Sequence, residues 1–377
     1  MSFRRLKAVT RKELLHIVRD VRSLMLALML PLLMLLLFGY ALTLDVDRIP
    51  TNIYDQDKTP QSRELIDQFR GTRYFQIVSV GNSYGPAERG IDKSTILLSV
   101  VIPRDYARHL LEGQQADVQL LMDGSDSNTA SIALGYAQIL IQNYAAELRS
   151  DAQVRHGGQP LQVPVEPRIR VWYNSDLKSK NYIVPGLIAV TMMIIASMLS
   201  SLTIAREWEN GTMEQLLSTP VRPRELVLGK LLAYFTLGIA DMLICLVVGV
   251  FIFQVPFRGN AIFLLFTSCL FLFGALSWGI FLSASARSQL MAYQLGMLSS
   301  FLPGYLLSGF IYSIQDMPKV IQAISLIVPA RYFVRILNGA FLKGAGFQIL
   351  WAEVLMLFGY AAIVFWAASR KMRQKVA

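Results

Sequence analysis

The apolar positions of this chain fall in long blocks separated by a single extended polar region. Six runs, residues 24–44, 182–205, 231–253, 261–286, 290–312 and 347–369, are long enough to cross a bilayer as helices. A hydrocarbon core of about 30 Å takes about 20 helical residues at about 1.5 Å each. Asp241 and Glu353 are the only acidic or basic residues within these runs. A shorter run such as 320–328 cannot cross alone. Between the first and second runs the pattern changes to short β-rich stretches alternating with helical ones. Strands are expected at 51–54, 74–80, 96–102 and 118–122. Helices are expected at 61–70, 103–111 and 127–150, with a weaker helical pattern to Ile91 and a last extended run at 169–173. This alternation predicts a small α/β domain inserted into a helical membrane protein.

Composition agrees: 377 residues, 54% hydrophobic and only 16% charged, is the profile of a polytopic membrane protein. The fold class expected is therefore an α-helical membrane protein of six transmembrane helices carrying an α/β domain at 45–180. Charge orients it. The segment 1–23, the segment 205–230, Arg287 and the tail 370–377 together hold sixteen Lys/Arg and six acids, whereas the loops 254–260 and 313–346 hold five and one. Lys and Arg collect on the cytoplasmic side, which places both termini and 205–230 there and the 45–180 domain outside the cytoplasm. The net charge of +10 thus reports orientation and does not point to nucleic acid. Residues 1–23 read as a basic interfacial helix with Leu14, Ile17, Val18 and Val21 on one side, not as a cleavable signal.

Signals for catalysis are missing. No G-x-x-x-x-G-K-[ST] phosphate loop occurs, so ATP has no such site here. His16, His109 and His156 lack metal-ligand spacing. The run Asp123-Gly124-Ser125-Asp126 places its glycine wrongly for a calcium loop, and a strand end followed by a capped helix accounts for it. Cys245 and Cys269 lie in apolar runs and are read as packing.

The segment 205–230, AREWENGTMEQLLSTPVRPRELVLGK, is the one sizeable charged stretch between two spans. Gly211-Thr212 opens a short amphipathic helix, Met213, Leu216 and Leu217 share a side, and Pro220 stops it. It reads either as a docking helix lying on the membrane face or as a solvated loop. Three further features concern the spans. Asp241 sits near the middle of the third, where an unpaired carboxylate costs about 2.5–3.5 kcal/mol. The fifth is interrupted by Pro303-Gly304 and carries Gln294, Ser299, Ser300, Tyr305 and Ser308, as a cavity lining or protein interface would. In the fourth, Ala275, Gly279 and Ser283 form a small-residue face for close helix contact.

Residues Glu207 to Lys230 resemble the E-x-E-x-G-T-x-E-x-L-x-x-x-P signature of ABC-2 type permeases, the membrane subunits of ATP-binding-cassette exporters. PGYLLSGFIYSIQDMPKVIQAISLIVPARYFV, starting at Pro303, resembles that family's fifth span and outer re-entrant segment, placed here at 313–346. The opening K-E-L-x-x-I-x-R-D, Phe38-Gly39-Tyr40 and the DGSDSNTA run resemble the bacterial subfamily with an extracytoplasmic insertion. The resemblance implies that Glu207, Glu209, Gly211, Thr212, Met213, Glu214, Leu217 and Pro220 form a coupling segment docking on a separate ABC ATPase. It implies that two permease subunits, identical or paralogous, enclose the route. The candidates for that route come from the residues themselves: Asp241, which matches nothing in the family pattern, and Gln294, Ser299, Pro303, Gly304, Tyr305 and Ser308. No cofactor, metal or catalytic residue is expected in this chain, ATP being bound by the partner. A periplasmic adaptor and the lipid bilayer complete the expected partners, and the bacterial inner membrane is the expected location. The rival reading is a secondary transporter driven by an ion gradient through Asp241 and Glu353, and a third is a membrane-anchored receptor or enzyme. Neither explains both the insertion after the first span and the five further spans.

Overall fold

The computed structural model describes residues 2–41, 48–81, 83–155, 172–174, 178–286 and 288–376. Outside them lie the ends of two expectations, 42–44 of the first run and 169–171 of the last strand, as well as His156 and Arg287. The chain divides into two units, one made of Met1–Thr43 with Val171–Ala377 and the other of Leu44–Arg170.

The chain opens with α1 (Phe3–Arg19), and α2 (Val21–Ala41) follows directly. Val9 and Glu13 are buried on α1, whereas Val18 and Val21 of the expected apolar side are exposed.

In the second unit come β1 (Ile49–Asp55), α3 (Pro60–Gly71), β2 (Phe75–Gly81), α4 (Tyr84–Asp92), β3 (Leu98–Ile102), α5 (Tyr106–Leu111), β4 (Gln119–Met122) and α6 (Ser127–Arg155). The strands form one sheet in the order β2-β1-β3-β4. β1 runs parallel to β2 and β3, with Ile53 opposite Val80 and Val100, and β4 returns antiparallel to β3. Alternate residues of β1 and β3 (Ile49, Ile53, Leu98, Val100, Ile102) pack on Leu65, Phe69 and Ala133 from the helices. Alternation in a strand sends the remaining residues to the other face. There Ser79 Oγ donates to Asn52 Oδ1 at 2.6 Å and Asn52 Nδ2 donates to Ser99 Oγ at 3.0 Å, so the buried amide is satisfied. Asp126 accepts from the Thr129 backbone N–H at the start of α6, the cap that its sequence suggested.

The first unit resumes with α7 (Lys180–Glu209), α8 (Thr212–Leu217), α9 (Pro223–Val247), α10 (Ala261–Ser285), α11 (Gln289–Leu306), α12 (Lys319–Ser325), α13 (Pro329–Asn338) and α14 (Phe347–Val376). α9 continues as a π-helical turn to Ile252. α7 is the hub, packed against α2, α9, α10, α11 and α13. Small residues let its neighbours approach. A Cβ on Gly279 of α10 would sit 1.9 Å from Ser200 Oγ, and one on Gly296 of α11 would sit 2.7 Å from Ser201 Oγ. Ser283 Oγ, on the small-residue face of α10, accepts from the backbone N–H groups of Ile204 and Ala205, each at 2.9 Å. Close backbone approach combined with interhelical hydrogen bonds is how helices associate where lipid removes the hydrophobic drive.

Among the described residues four helices are long and apolar enough to cross a membrane: Lys180–Glu209, Pro223–Ile252, Ala261–Ser285 and Phe347–Met372. A fifth arises if α12 and the helix Pro329–Lys343, bent by 85° to each other, count as one span. The expectation from sequence is six. Part of the difference is α11, whose 18 residues include Gln289, Gln294, Ser299 and Ser300; α2 is a 21-residue helix of which only Ala27–Ala41 lies in one uninterrupted described stretch, so it does not decide the count. Nor is the fifth run broken at Pro303-Gly304. α11 passes through Pro303 and ends at Leu306, because a proline in the last helical turn removes only one of the final hydrogen bonds.

Candidate functional site

The end of α7, the short α8 and the beginning of α9 meet α1 in a cluster of charged side chains. Gly229 permits the contact: a Cβ there would lie 2.6 Å from Val9 Cγ1. Beside it, Lys230 Nζ lies 3.0 Å from both Glu13 Oε1 and Glu207 Oε1. Lys12 Nζ reaches the same two carboxylates, donating to Glu207 Oε1 at 2.6 Å and lying 3.2 Å from Glu13 Oε1. Two cations and two anions thus form one closed set, with Lys230 1% and Glu13 5% exposed. The Lys230 ammonium also donates to the Thr203 carbonyl at 3.4 Å. Ions out of water need such mutual pairing, since each uncompensated one costs several kcal/mol.

Their protonation follows from the same neighbours. Burial pushes the Glu13 carboxyl up, but Lys230 and Lys12 outweigh it and hold the carboxyl below its ordinary value of 4.5. Burial likewise pulls the Lys12 ammonium down. The hydrogen bond to Glu207 and the charges of Glu13 and Glu207 reverse that and hold it above 10.5. A second tie joins the start of α1 to the start of α9. The Ser2 backbone N–H donates to Glu225 Oε1 at 2.6 Å, Glu225 Oε2 accepts from the Arg222 N–H at 3.1 Å, and the Arg5 guanidinium donates to the Pro220 carbonyl.

This arrangement sorts the expected coupling residues into two sets. Glu207 and Met213 face inward: Glu207 is 7% exposed within the charge cluster, and Met213 is fully buried in the helical core. Neither is placed to touch a partner, a correction to the reading that gave both an outward role. The apolar side of α8 anchors the helix to its own chain. Glu209, Gly211, Thr212, Glu214 and Pro220 are exposed. The Leu217 side chain lies outside the described residues. Gly211 has φ +71°, in the left-handed region, which turns the chain from α7 into α8. Glu209 Oε2 accepts from the Gln289 backbone N–H at 2.8 Å, so it also braces the first turn of α11.

The residues proposed for a route are not brought together into one site. Asp241 on α9 is 4% exposed, and its neighbour one turn on, Cys245, donates Sγ to Asp241 Oδ1 at 3.9 Å. On α11, Gln294 is exposed, Gly304 is buried against Val190 of α7, and Pro303 is half-buried. Ser299 Oγ accepts from Trp278 Nε1 at 2.9 Å, and Ser308 Oγ accepts from the Phe310 N–H at 3.2 Å. Tyr305 packs among the rings of Phe38, Phe301 and Phe310. Glu353, the second carboxylate of the secondary-transport reading, pairs with Arg335 at 3.7 Å.

Lys12 and Glu13 begin the K-E-L-x-x-I-x-R-D run noted in the sequence, but no site role was read for them, because their partners are about 200 positions away. The signal available was Lys230, a charge at the edge of an apolar run.

A short helix held out by a buried ionic cluster, next to a bundle of apolar helices, invites comparison with known transporters. The family model described as "ABC-2 family transporter protein" matches residues 22–370. The chain belongs to the ABC-2 transporter family. This ABC-2 protein is 36% identical over 364 residues to the probable multidrug ABC transporter permease YbhS of Escherichia coli (strain K12), covering 96% of this chain and 95% of the relative. It is 32% identical over 374 residues to YbhR of the same organism, a probable multidrug ABC transporter permease, covering 99% and 100%. It is 29% identical over 333 residues to the inner membrane transport permease YhhJ, covering 87% and 86%. The chain is thus a multi-pass membrane protein and the permease subunit of an ABC transporter.

Proposed function

We propose that this permease belongs to an exporter, driven by ATP hydrolysed on a separate ABC ATPase that docks on the exposed side of α8, and that two permease subunits enclose the route. One observation carries the reading: α8 is fixed from behind by buried Met213 and by the α1–α7–α9 charge cluster, while Glu209 and Glu214 remain exposed. A helix so fixed moves with α7 and α9, and so transmits a push from outside to the spans. Charges at such a contact set its register and orientation.

Six spans, cytoplasmic termini and a domain at 45–180 outside the cytoplasm go with this reading, on the strength of the Lys/Arg asymmetry. The same reading places the chain in a bacterial inner membrane and gives the outer domain to a periplasmic adaptor. YbhS and YbhR carry the name probable multidrug ABC transporter permease, which supports drug-like molecules as the transported class; lipids and other amphiphiles rest on the sequence resemblance alone.

The test is the pair Glu209→Lys with Glu214→Lys. Membrane insertion should persist while the co-purifying ATPase and transport are lost. Normal transport with a full complement of ATPase would refute the docking side.

A further inference from the structure

At the end of α9 away from α8, the loop that leads into α10 packs backbone to backbone on the turn that leads into α14. α13 continues there as a π-helical turn, Gly339–Lys343. The Arg258 N–H donates to the Phe341 carbonyl at 3.1 Å. A Cβ on Gly259 would lie 2.7 Å from the Ala340 carbonyl oxygen, and one on Gly344 would lie 3.1 Å from that of Arg258. Phe257 meets the buried Phe341 ring edge to face at 5.3 Å. Gly344, at φ +65°, takes the left-handed turn by which the chain leaves this contact. Arg258 and Lys343 are thus carried on neighbouring stretches of backbone that hold each other in place.

Both side chains are exposed, and neither has an acidic or other hydrogen-bonding partner among the described residues. Two nearby arginines are engaged elsewhere: Arg335 pairs with Glu353 at 3.7 Å, and Arg331 donates to the Gln322 carbonyl and to Ser325 Oγ. The loops 254–260 and 313–346 hold five Lys/Arg against one acid, so this side offers the pair little compensation. The pair stands where α10 and α14 begin, two of the helices long and apolar enough to cross a membrane. On the first turns of these helices Ile262, Phe347, Ile349 and Trp351 are exposed. Cations above an apolar surface that carries a tryptophan lie at the depth of lipid phosphates. An acidic protein would account for the cations alone, whereas a lipid accounts for the cations and the apolar surface together.

We propose that Arg258 and Lys343 hold the head group of an anionic phospholipid whose acyl chains lie along Ile262, Phe347 and Ile349. The planar guanidinium of Arg258 matches two phosphate oxygens, and the Lys343 ammonium acts as a point charge on the same group. The head must be net negative, because two cations with no acid beside them leave the ammonium of a zwitterionic head without a partner. The bound lipid bridges the α9–α10 and α13–α14 connections. The proposal requires only that the chain spans a membrane; in the orientation proposed above, the lipid belongs to the outer leaflet. It uses neither the ATPase docking surface nor the route, and its test does not use transport.

The experiment is native mass spectrometry of the full-length protein, exchanged into detergent with equimolar phosphatidylglycerol, phosphatidylethanolamine and phosphatidylcholine of identical acyl chains. The site predicts preferential retention of phosphatidylglycerol. Arg258→Gln and Lys343→Gln should each lower that preference about fivefold, the value of one basic residue at an anionic lipid surface, and the double variant should lose it. Lys319→Gln removes an exposed cation elsewhere in the loop 313–346 and should leave the preference unchanged. Without lipid the unfolding temperature should be the same in all variants, because these side chains have no partner to lose. Added phosphatidylglycerol should raise it in the wild type but not in the double variant, as a ligand of the folded state does. Equal retention of the three lipids, or an undiminished preference in the double variant, would overturn the proposal and leave the pair to an acidic protein. An equal loss in Lys319→Gln would also overturn it, since the effect would then be general surface charge. Displacement by glycerol phosphate as effectively as by the lipid would overturn the role of the acyl chains and assign the pair to a free phosphate.

Discussion

Lys230 Nζ lies 3.0 Å from Glu13 Oε1, a buried contact between residues 217 positions apart that fastens the first helix of the chain to the base of α9. Removing one member leaves an odd charge in the interior. Lys230→Met leaves two carboxylates with Lys12 alone, and Glu13→Gln leaves two ammonium groups with Glu207 alone. Each should cost about 3–5 kcal/mol, as broken buried pairs do. The double variant restores one cation to one anion and should lose much less than the sum. Thermal unfolding in detergent of the wild type, both singles and the double closes this cycle. Additive losses would mean that the four charges do not act as one set.

The pH dependence of the same cluster follows from the direction of its shifts. Glu13 is held below its ordinary 4.5, so its contribution is present above that value and is lost as pH falls through the folded-state pKa. Lys12 is held above its ordinary 10.5, so its contribution is present below that value and is lost as pH rises through the folded-state pKa. The difference in unfolding temperature between wild type and Glu13→Gln should therefore be flat from about pH 5 to pH 10 and shrink in acid. A step near neutrality would contradict the assignment.

Some of this was legible in the sequence, and the division has a physical cause. α10 was found to within one residue, because an uninterrupted apolar run bounded in sequence by Asn260 and Arg287 has only one reading. Four strand expectations coincide with described strands to within two residues, since period-two patterns are local. The apolar side of α1 was also legible, yet the face that packs was not. Val9 and Glu13 are buried by Gly229 and Lys230, and no local pattern announces that a glutamate faces inward. α8 shows the same limit. Its helix was visible in the sequence, but Met213 proved to be the anchor, because burial depends on which element lies behind. A loss of apolar character along α11 was legible in Gln294 and Ser299. Its cause, Trp278 donating to Ser299, was not.

Gly279 and Gly359 are both helical glycines with opposite surroundings. A Cβ on Gly279 would meet the Ser197 carbonyl at 2.4 Å and Ser200 Oγ at 1.9 Å, and backbone cannot yield as a side chain does. On Gly359 of α14 nothing lies within 4 Å. Gly279→Ala should separate α10 from α7 and cost about 1–3 kcal/mol or more, as overpacking does. Gly359→Ala should be neutral or gain up to about 1 kcal/mol from helix propensity. The yield and unfolding temperature of the two variants decide the matter, and equal behaviour would mean that α7 and α10 are not packed so closely.

Gly211 tests whether the geometry of the α7–α8 turn matters apart from its contacts. Its φ of +71° penalises an L side chain, yet a Cβ there would meet nothing within 4 Å. Substitution is therefore strained without being crowded. Gly211→Asn should be tolerated, because asparagine visits the left-handed region at low cost. Gly211→Val should cost on the order of 1–2 kcal/mol locally and relieve the strain by re-aiming α8. The charge cluster does not involve position 211, so the unfolding temperature should change little in either variant. ATPase retained on co-purification should then be near wild type for the asparagine and reduced for the valine. If both variants retain it equally, the angle at which α8 leaves α7 plays no part in docking, and the exposed charges of Glu209 and Glu214 would have to carry the contact alone.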